Sequence, residues 1–399
     1  MKIVYYCQHV LGIGHFFRSL EICRALAPQP VLLVSGGPGI QVDLPPHVRL
    51  VRQAGLMMDT QFQNLSPVQV GKSLESVKQE RSRQLYDLFL NEAPDLFLIE
   101  LYPFGRRAFR FELEPVLDGI KNGKLPSCRV VCSLRDILVE KENAAKYERR
   151  VVECLNRGFD ALLIHSDPRI LTLDETFCRM DDIAIEVAYT GFVASKPPPE
   201  ARAMTRDRLG IEKDQALVVV SAGGGKVGCR LLEAVANAVR EMKSGQAVRL
   251  QMVSGPFMPE ADYRKLVSLT DDRIAVRRFD PEFLSLIAAA DLSVSMAGYN
   301  TCMNVLAART PALFLPFAQN REQRIRAERL ARYGWIDVLE DQDLDPVSLS
   351  RRMARMLSQS KPGPVDIDLE GAEHTAGWVR LRMNRNGSDQ SGRERISWA

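Results

Sequence analysis

Short apolar runs bounded by Gly, Pro, Asn or Asp alternate along the chain with longer stretches whose apolar positions recur three and four apart. The runs Lys2–Cys7, Val31–Ser35, Val48–Gln53, Asp95–Glu100, Arg129–Ser133, Ala161–His165 and Ile183–Tyr189 predict strands. Between them, helices are predicted from the first turn to Ala27, over Pro67–Asn91, over Arg106–Ile120 and over Glu140–Arg157. In the first helix Phe16, Leu20, Cys23 and Ala27 form the core face, and Arg18, Glu21 and Arg24 point away. Strands alternating with helices imply a parallel, doubly wound sheet.

The pattern breaks at Thr190-Gly-Phe192 and at Ser195-Lys-Pro-Pro-Pro199, an extended stretch that cannot be helix or central strand. A second series follows, with strands at Ala216–Ser221, Val248–Val253, Ile274–Val276, Leu292–Met296 and Ala312–Leu315. Its helices are expected over Val227–Met242 and from starts near Asn300 or Thr301 and near Asn320. Lys361-Pro-Gly-Pro364 interrupts again, ahead of a short helix over Glu370–Met383 and a polar end expected to be disordered. The expected fold class is α/β, with two Rossmann-like, doubly wound parallel-sheet domains facing across a cleft. The expected divisions are residues 1–192, a linker at 193–200, residues 201–360, a segment and helix at 361–384, and a tail at 385–399.

Composition narrows the function classes. A chain of 399 residues with 46% hydrophobic and 26% charged residues suits a globular protein of two domains. The net charge of +3 gives no reason to expect a nucleic-acid partner. No apolar stretch is long enough to span a bilayer, and the chain enters its first strand without a signal-peptide pattern. The eight cysteines form no Cys-x-x-Cys pair and mostly lie in apolar segments, so they read as reduced core residues of a cytoplasmic protein.

Several turns carry chemistry. Ser221-Ala222-Gly223-Gly224-Gly225 joins a strand to a helix, and glycines there let a phosphate approach the backbone and the helix N-terminus. It is not a P-loop, because Val227 follows Lys226 where a Ser or Thr would be required. Gly298, Asn300 and Thr301 form a second such turn, and Asn320 leads into Arg321, Glu322 and Gln323, side chains suited to gripping hydroxyls. An anion grip beside a hydroxyl grip suits a nucleotide-sugar. In the first half, His15 follows Gly12 and Gly14 at the end of the first strand, where a neutral imidazole can take a proton from an incoming hydroxyl. Asp136 is the expected carboxylate partner that orients it. Glu100, Arg135 and the His165-Ser-Asp167 trio also end strands, with His165 read as structural. Arg106 opens a run in which arginines alternate with phenylalanines, either a solvated helix start or an acceptor or membrane-surface patch. The Asp-x-Asp spacings at Asp343/Asp345 and Asp366/Asp368 lie outside the nucleotide strands and are rejected as metal sites.

Together these residues resemble the GT-B glycosyltransferases, in particular the MurG-like group of family 28. Gly12-Ile-Gly-His15 resembles that group's N-terminal glycine–histidine loop, and Ser221-Ala-Gly-Gly-Gly225 its phosphate loop. Gly298-Tyr-Asn-Thr301, followed by Arg309-Thr-Pro311 and Asn320-Arg-Glu-Gln323, resembles its donor signature. The resemblance covers both domains to about Ser358, and the late helix resembles one that returns to the first domain in that fold. It implies a nucleotide-sugar donor on the second domain, an acceptor on the first near Gly12, Gly14, Glu100, Arg106 and Arg135, and inversion without a metal or other cofactor. The implied donor is a UDP-sugar. The implied acceptor is a lipid-linked or polysaccharide precursor, with contact to the inner face of a membrane through the first domain. One position departs: the family places a glutamate three residues after the threonine to grip the ribose, and this chain has Asn304. The same pocket would serve a nucleotide-sugar 2-epimerase, which needs no acceptor, or a sugar-nucleotide-binding protein without turnover.

Overall fold

The computed structural model describes residues 1–8, 14–37, 42–58, 65–69, 71–139, 143–242 and 247–384. Gly12, Glu140 at the expected start of the fourth helix, and the tail at 385–399 lie outside them. The chain forms two compact units. One comprises Met1–Val193 and the chain from Asp368 onward; the other is Ala194–Ile367.

The first unit runs β1 (Ile3–Tyr6), α1 (Gly14–Ala25), β2 (Val31–Ser35), β3 (Val48–Arg52), a hairpin of β4 (Leu56–Met58) and β5 (Leu65–Pro67), then α2 (Leu74–Glu92) and β6 (Leu96–Glu100). It continues through α3 (Arg110–Lys121), β7 (Arg129–Arg135), α4 (Ala144–Gly158), β8 (Ala161–His165) and β9 (Glu186–Tyr189). Seven strands pair in the order β3-β2-β1-β6-β7-β8-β9, all parallel. Every residue of β1, β2, β6 and β8 is buried. Their unbroken apolar sequences follow from having helices on both faces.

The second unit runs α5 (Ala201–Arg208), β10 (Ala216–Ser221), α6 (Cys229–Glu241), β11 (Val248–Val253), α7 (Glu260–Val267), β12 (Ile274–Arg277) and α8 (Phe283–Ala289). Then come β13 (Leu292–Met296), α9 (Tyr299–Ala308), β14 (Ala312–Leu315), α10 (Arg321–Ala331), β15 (Ile336–Val338) and α11 (Pro346–Leu357). Its six strands are parallel in the order β12-β11-β10-β13-β14-β15. The last helix, α12 (Gly371–Asn384), packs on α1 in the first unit, where Trp378 and Val379 join a core that includes Leu20 and Cys23.

Several expectations change: the strand expected from Ile183 starts at Glu186, and the helix expected from Arg106 starts at Arg110 after a tighter turn over Arg107–Phe109. The helix expected from Pro67 starts at Leu74, because Ser73 caps it by accepting the Ser76 N–H at 3.1 Å, and Leu65–Pro67 forms a hairpin strand instead. The helix expected from Val227 starts at Cys229, after Gly228 at φ 103°. Arg18, expected to point away from the core, has a side chain only 3% exposed.

A buried ion pair ties the first unit's helices to its strand ends. Arg81 on α2 donates to Glu112 on α3 through Nε at 2.9 Å and Nη2 at 2.5 Å, and to the Ala54 carbonyl at 2.7 Å. The Tyr6 hydroxyl also donates to Glu112. Both charged side chains are 0% exposed. Glu112→Ala therefore strands a buried guanidinium and is expected to cost about 3–5 kcal/mol in urea unfolding, whereas Arg81→Met with Glu112→Leu should cost far less than two such losses. A loss under about 1 kcal/mol for Glu112→Ala would show that Arg81 is satisfied without it.

Candidate functional site

In each sheet the chain winds outward from one strand in both directions, and the two connections that diverge leave a crevice at the strands' carboxyl ends. In the first unit the diverging pair is β1 and β6, aligned so that Tyr6 lies beside Ile99. Glu100 ends β6 and α1 begins at Gly14, which brings Glu100 and His15 together. His15 Nδ1 lies 2.6 Å from Glu100 Oε1. A carboxylate only accepts, so Nδ1 carries the proton and donates it, leaving Nε2 as a lone-pair acceptor on a side chain 24% exposed.

Glu100 is fully buried and surrounded by cations. Arg18 on α1 donates through Nη2 to the same Oε1. Arg106 Nε lies 3.9 Å from Oε2, with its side chain 8% exposed. Burial alone would raise the Glu100 carboxyl, but His15, Arg18 and Arg106 outweigh it and hold the group well below the usual carboxylate range. Burial pushes the His15 imidazole down to about 4; Glu100 opposes that shift, and Arg106 and Arg18 add to it. At neutral pH the pair is a neutral imidazole on an ionised carboxylate, the protonation state that a general base requires.

This arrangement corrects two expectations. Glu100, not Asp136, meets Nδ1 of His15; Asp136 follows β7, is fully buried and lies on the far side of β6 from β1. Arg106 is not a freely solvated side chain: it is 8% exposed, and its Nε faces Glu100 Oε2 at 3.9 Å. Arg135 ends β7 beside His165. His165 is structural in its contacts: Nε2 is 2.7 Å from Ser133 Oγ and Nδ1 is 2.8 Å from Thr190 Oγ1, while Ser133 also meets the Tyr5 hydroxyl at 2.8 Å.

In the second unit the diverging strands are β10 and β13, with Ser221 beside Ser295. Two helix starts, at α6 and α9, therefore sit over adjacent strand ends, and each has first-turn N–H groups without intrahelical acceptors. Ser221 and Ala222 are buried at the base of this site. The glycine loop packs against the turn after β11: a Cβ on Gly225 would lie 2.5 Å from the Ser254 carbonyl, and one on Gly255 2.4 Å from the Gly223 carbonyl. The Phe257 N–H bonds to the Gly224 carbonyl at 2.9 Å, locking the two turns. The Gly225 N–H is engaged with the Ala222 carbonyl at 3.2 Å, so Gly225 shapes the loop and does not offer its amide to an anion.

Gly298 caps α9, and Asn300, Thr301 and Asn304 are half-buried on that helix. Asn300 and Asn304 are four apart and share a face. Arg321 is exposed at the start of α10. Glu322, expected to meet a sugar, is instead 4% exposed and paired with Arg326 Nη2 at 2.8 Å. Arg326 in turn holds the Ala297 carbonyl at 3.0 Å, so this pair supports the α9 turn. Gln323 Oε1 accepts the Phe317 N–H at 3.0 Å and braces its own loop. The residues missed from sequence are Arg18, Ser254-Gly255 and Arg326. Only Ser254-Gly-Pro256 carried a signal, being a turn directly after an apolar strand.

Among the described residues no group of three or more His, Cys, Asp or Glu is placed to hold a metal ion, and no helix is long and apolar enough to cross a membrane.

Residues 218–365 match the glycosyltransferase family 28 C-terminal domain. An uncharacterized glycosyltransferase of Methanopyrus kandleri is 24% identical over 51% of this chain and 57% of its own length. A UDP-N-acetylglucosamine–N-acetylmuramyl-(pentapeptide) pyrophosphoryl-undecaprenol N-acetylglucosamine transferase of Acetivibrio thermocellus is 26% identical over 43% of this chain and 47% of its own. The chain thus spans about half the length of these curated relatives. In fold it is similar to the calicheamicin glycosyltransferase CalG4 (TM-score 0.62, 16% identity, 97% of this chain and 100% of that one). It is also similar to MurG of Acinetobacter baumannii (TM-score 0.54, 14% identity, 96% of this chain and 99% of that one).

Two outcomes are expected from this geometry. NMR titration should place His15 near pH 4, and Glu100→Gln should lower it further by removing the one charge that favours the imidazolium. Because the unfolded histidine titrates near 6.5, His15's contribution to stability falls as pH drops from there toward 4, where the native ring begins to bind its own proton. A native value of 6.5 or above would remove the neutral base. Gly223→Ala, at φ 62° with open space around it, should cost about 1–2 kcal/mol in urea unfolding. Gly225→Ala should cost clearly more, because its Cβ collides with backbone; equal losses would mean the two turns are not locked.

Proposed function

We propose that this chain, a MurG-like GT-B protein with a family 28 C-terminal domain, is an inverting glycosyltransferase using a nucleotide-diphosphate sugar, most favourably a UDP-sugar. The observation that carries the reading is the His15–Glu100 pair at 2.6 Å, at the strand ends of the unit that does not bear the family 28 match. Oriented by Glu100, His15 Nε2 removes the proton of an acceptor hydroxyl as its oxygen attacks the anomeric carbon. The new C–O bond forms on the face opposite the breaking bond to the diphosphate, which inverts the centre. The diphosphate leaves onto first-turn N–H groups of α6 and α9, with Arg321 as a further cation, in a site that supplies charge stabilisation from backbone dipoles. Asn304 then meets the ribose with an amide in place of the family's glutamate.

The relatives' names favour UDP as the nucleotide and a polyprenyl-linked acceptor. Such an acceptor would bring the first unit to a membrane surface; a polysaccharide precursor would not.

The test begins with calorimetry and thermal shift on UDP, TDP, GDP and ADP sugars; a ligand at ~100 times its dissociation constant stabilises by about 2.7 kcal/mol. With the donor identified, His15→Ala should lower turnover by roughly 10²–10⁴-fold and leave donor affinity unchanged. Activity should persist in EDTA. Normal turnover by His15→Ala would remove it as the base, and epimer or free sugar formed without acceptor would favour a 2-epimerase.

A further inference from the structure

Arg106 is an unusual buried cation. Its side chain is 8% exposed, its backbone is held at φ 57°, and its Nε has no hydrogen-bond partner among the described residues. Glu100 Oε2, also buried and without a hydrogen bond, faces it at 3.9 Å. Leu101, the residue after Glu100, is at φ 68°, so two non-glycine residues within the same loop adopt the left-handed region. Such conformations persist only where the surroundings over-determine them. The loop's backbone is thus strained in the conformation that returns a guanidinium to the residue ending β6.

We propose that Arg106 is a positioning residue: with Arg18 it clamps Glu100 from two sides so that one carboxylate oxygen stays on His15 Nδ1, and it sets the pH at which Nε2 can take a proton. This rests on the reading of His15 as the base. The division of labour follows from the contacts. Arg18 shares Oε1 with His15, and Arg106 faces Oε2. Without the second cation, the carboxylate can rotate and offer either oxygen to the ring, and the imidazolium loses a repelling neighbour.

Among the described residues, the charged and titratable groups that bear on the pair are few. Arg18 comes from α1, Cys7 follows β1, Tyr5 lies on β1, Cys132 on β7, His165 on β8, and Arg106 in the loop after β6. The thiols and the phenol are pushed well above their ordinary values by burial, and His165 is pushed down to about 3 by burial. None of these titrates near neutrality. The two guanidiniums are therefore the permanent charges that oppose a proton on His15.

The experiment compares Arg106→Gln and Arg106→Lys with the native chain by NMR titration of His15 and by the pH profile of kcat/KM. Arg106→Gln should raise the His15 titration and move the acid limb up together, by roughly one pH unit. Arg106→Lys, which keeps the charge, should largely restore both. The NMR arm needs no turnover, so it tests the clamp even if His15 proves not to be the base; in that event the titration moves and the kinetic limb does not. A His15 titration unmoved in Arg106→Gln overturns the proposal. So does an increase in acceptor KM at an unshifted acid limb, which would make Arg106 an anion grip on the acceptor. Loss of thermal stability with both profiles unchanged would make it purely structural and overturn the proposal as well.

Discussion

A strand buried on both faces can display chemistry only at its ends, and this constraint governs both units. The side chains along β1, β6, β10 and β13 are committed to packing against helices. Polar function is displaced to the carboxyl ends, where the crossover connections diverge and the covering helices begin. His15 and Glu100 meet because β1 and β6 are neighbours in space while 85 positions separate the two residues in sequence. The glycine turn and the α9 turn meet for the same reason, through β10 and β13.

The second recurring device is a buried carboxylate held by arginine just beneath those ends. Glu112 with Arg81 ties α3 and α2 to the ends of β1 and β3. Glu322 with Arg326 braces the turn before α9 through the Ala297 carbonyl. Glu100 with Arg18 and Arg106 holds the imidazole. Burying ions costs more than burying hydrocarbon, so such pairs add little net stability. What they contribute is fixed direction: each guanidinium narrows the geometries open to its carboxylate, and Arg81 and Arg326 also hold a backbone carbonyl.

The alternation of elements was legible because buried parallel strands read as continuous apolar runs, and the doubly wound order follows from helices between them. The turns at Gly223–Gly225 and Gly298 were legible because glycine leaves a mark on sequence. The partner of His15 was not. Asp136 and Glu100 both end apolar runs, and local pattern carries nothing about which strand lies next to β1; that depends on the order β1-β6-β7 in space. Arg18 was misplaced for a related reason. Helical periodicity assigns a charge to the solvent face unless a countercharge awaits it, and Glu100 comes from another strand. Glu322 failed because an acidic residue in a helix's first turn gives no sign of being buried, and only the fold shows it enclosed with Arg326.

The two sites also differ in kind, and the difference suits the chemistry proposed for them. The first uses full charges around the proposed base, which must keep one tautomer: Arg18 is hydrogen-bonded to Glu100, and Arg106 faces its other oxygen at 3.9 Å. The second offers backbone amides, helix dipoles and neutral amide side chains, with Asn304 on α9, Glu322 already bound to Arg326, and the exposed Arg321 as the charge beside them. A diphosphate product held by permanent guanidinium forks would bind tightly after the sugar has gone. In the proposed reaction a grip mainly of dipoles would stabilise the charge as it develops on the leaving oxygen and still let the product depart, because Arg321 is exposed and no buried ion would be left unpaired.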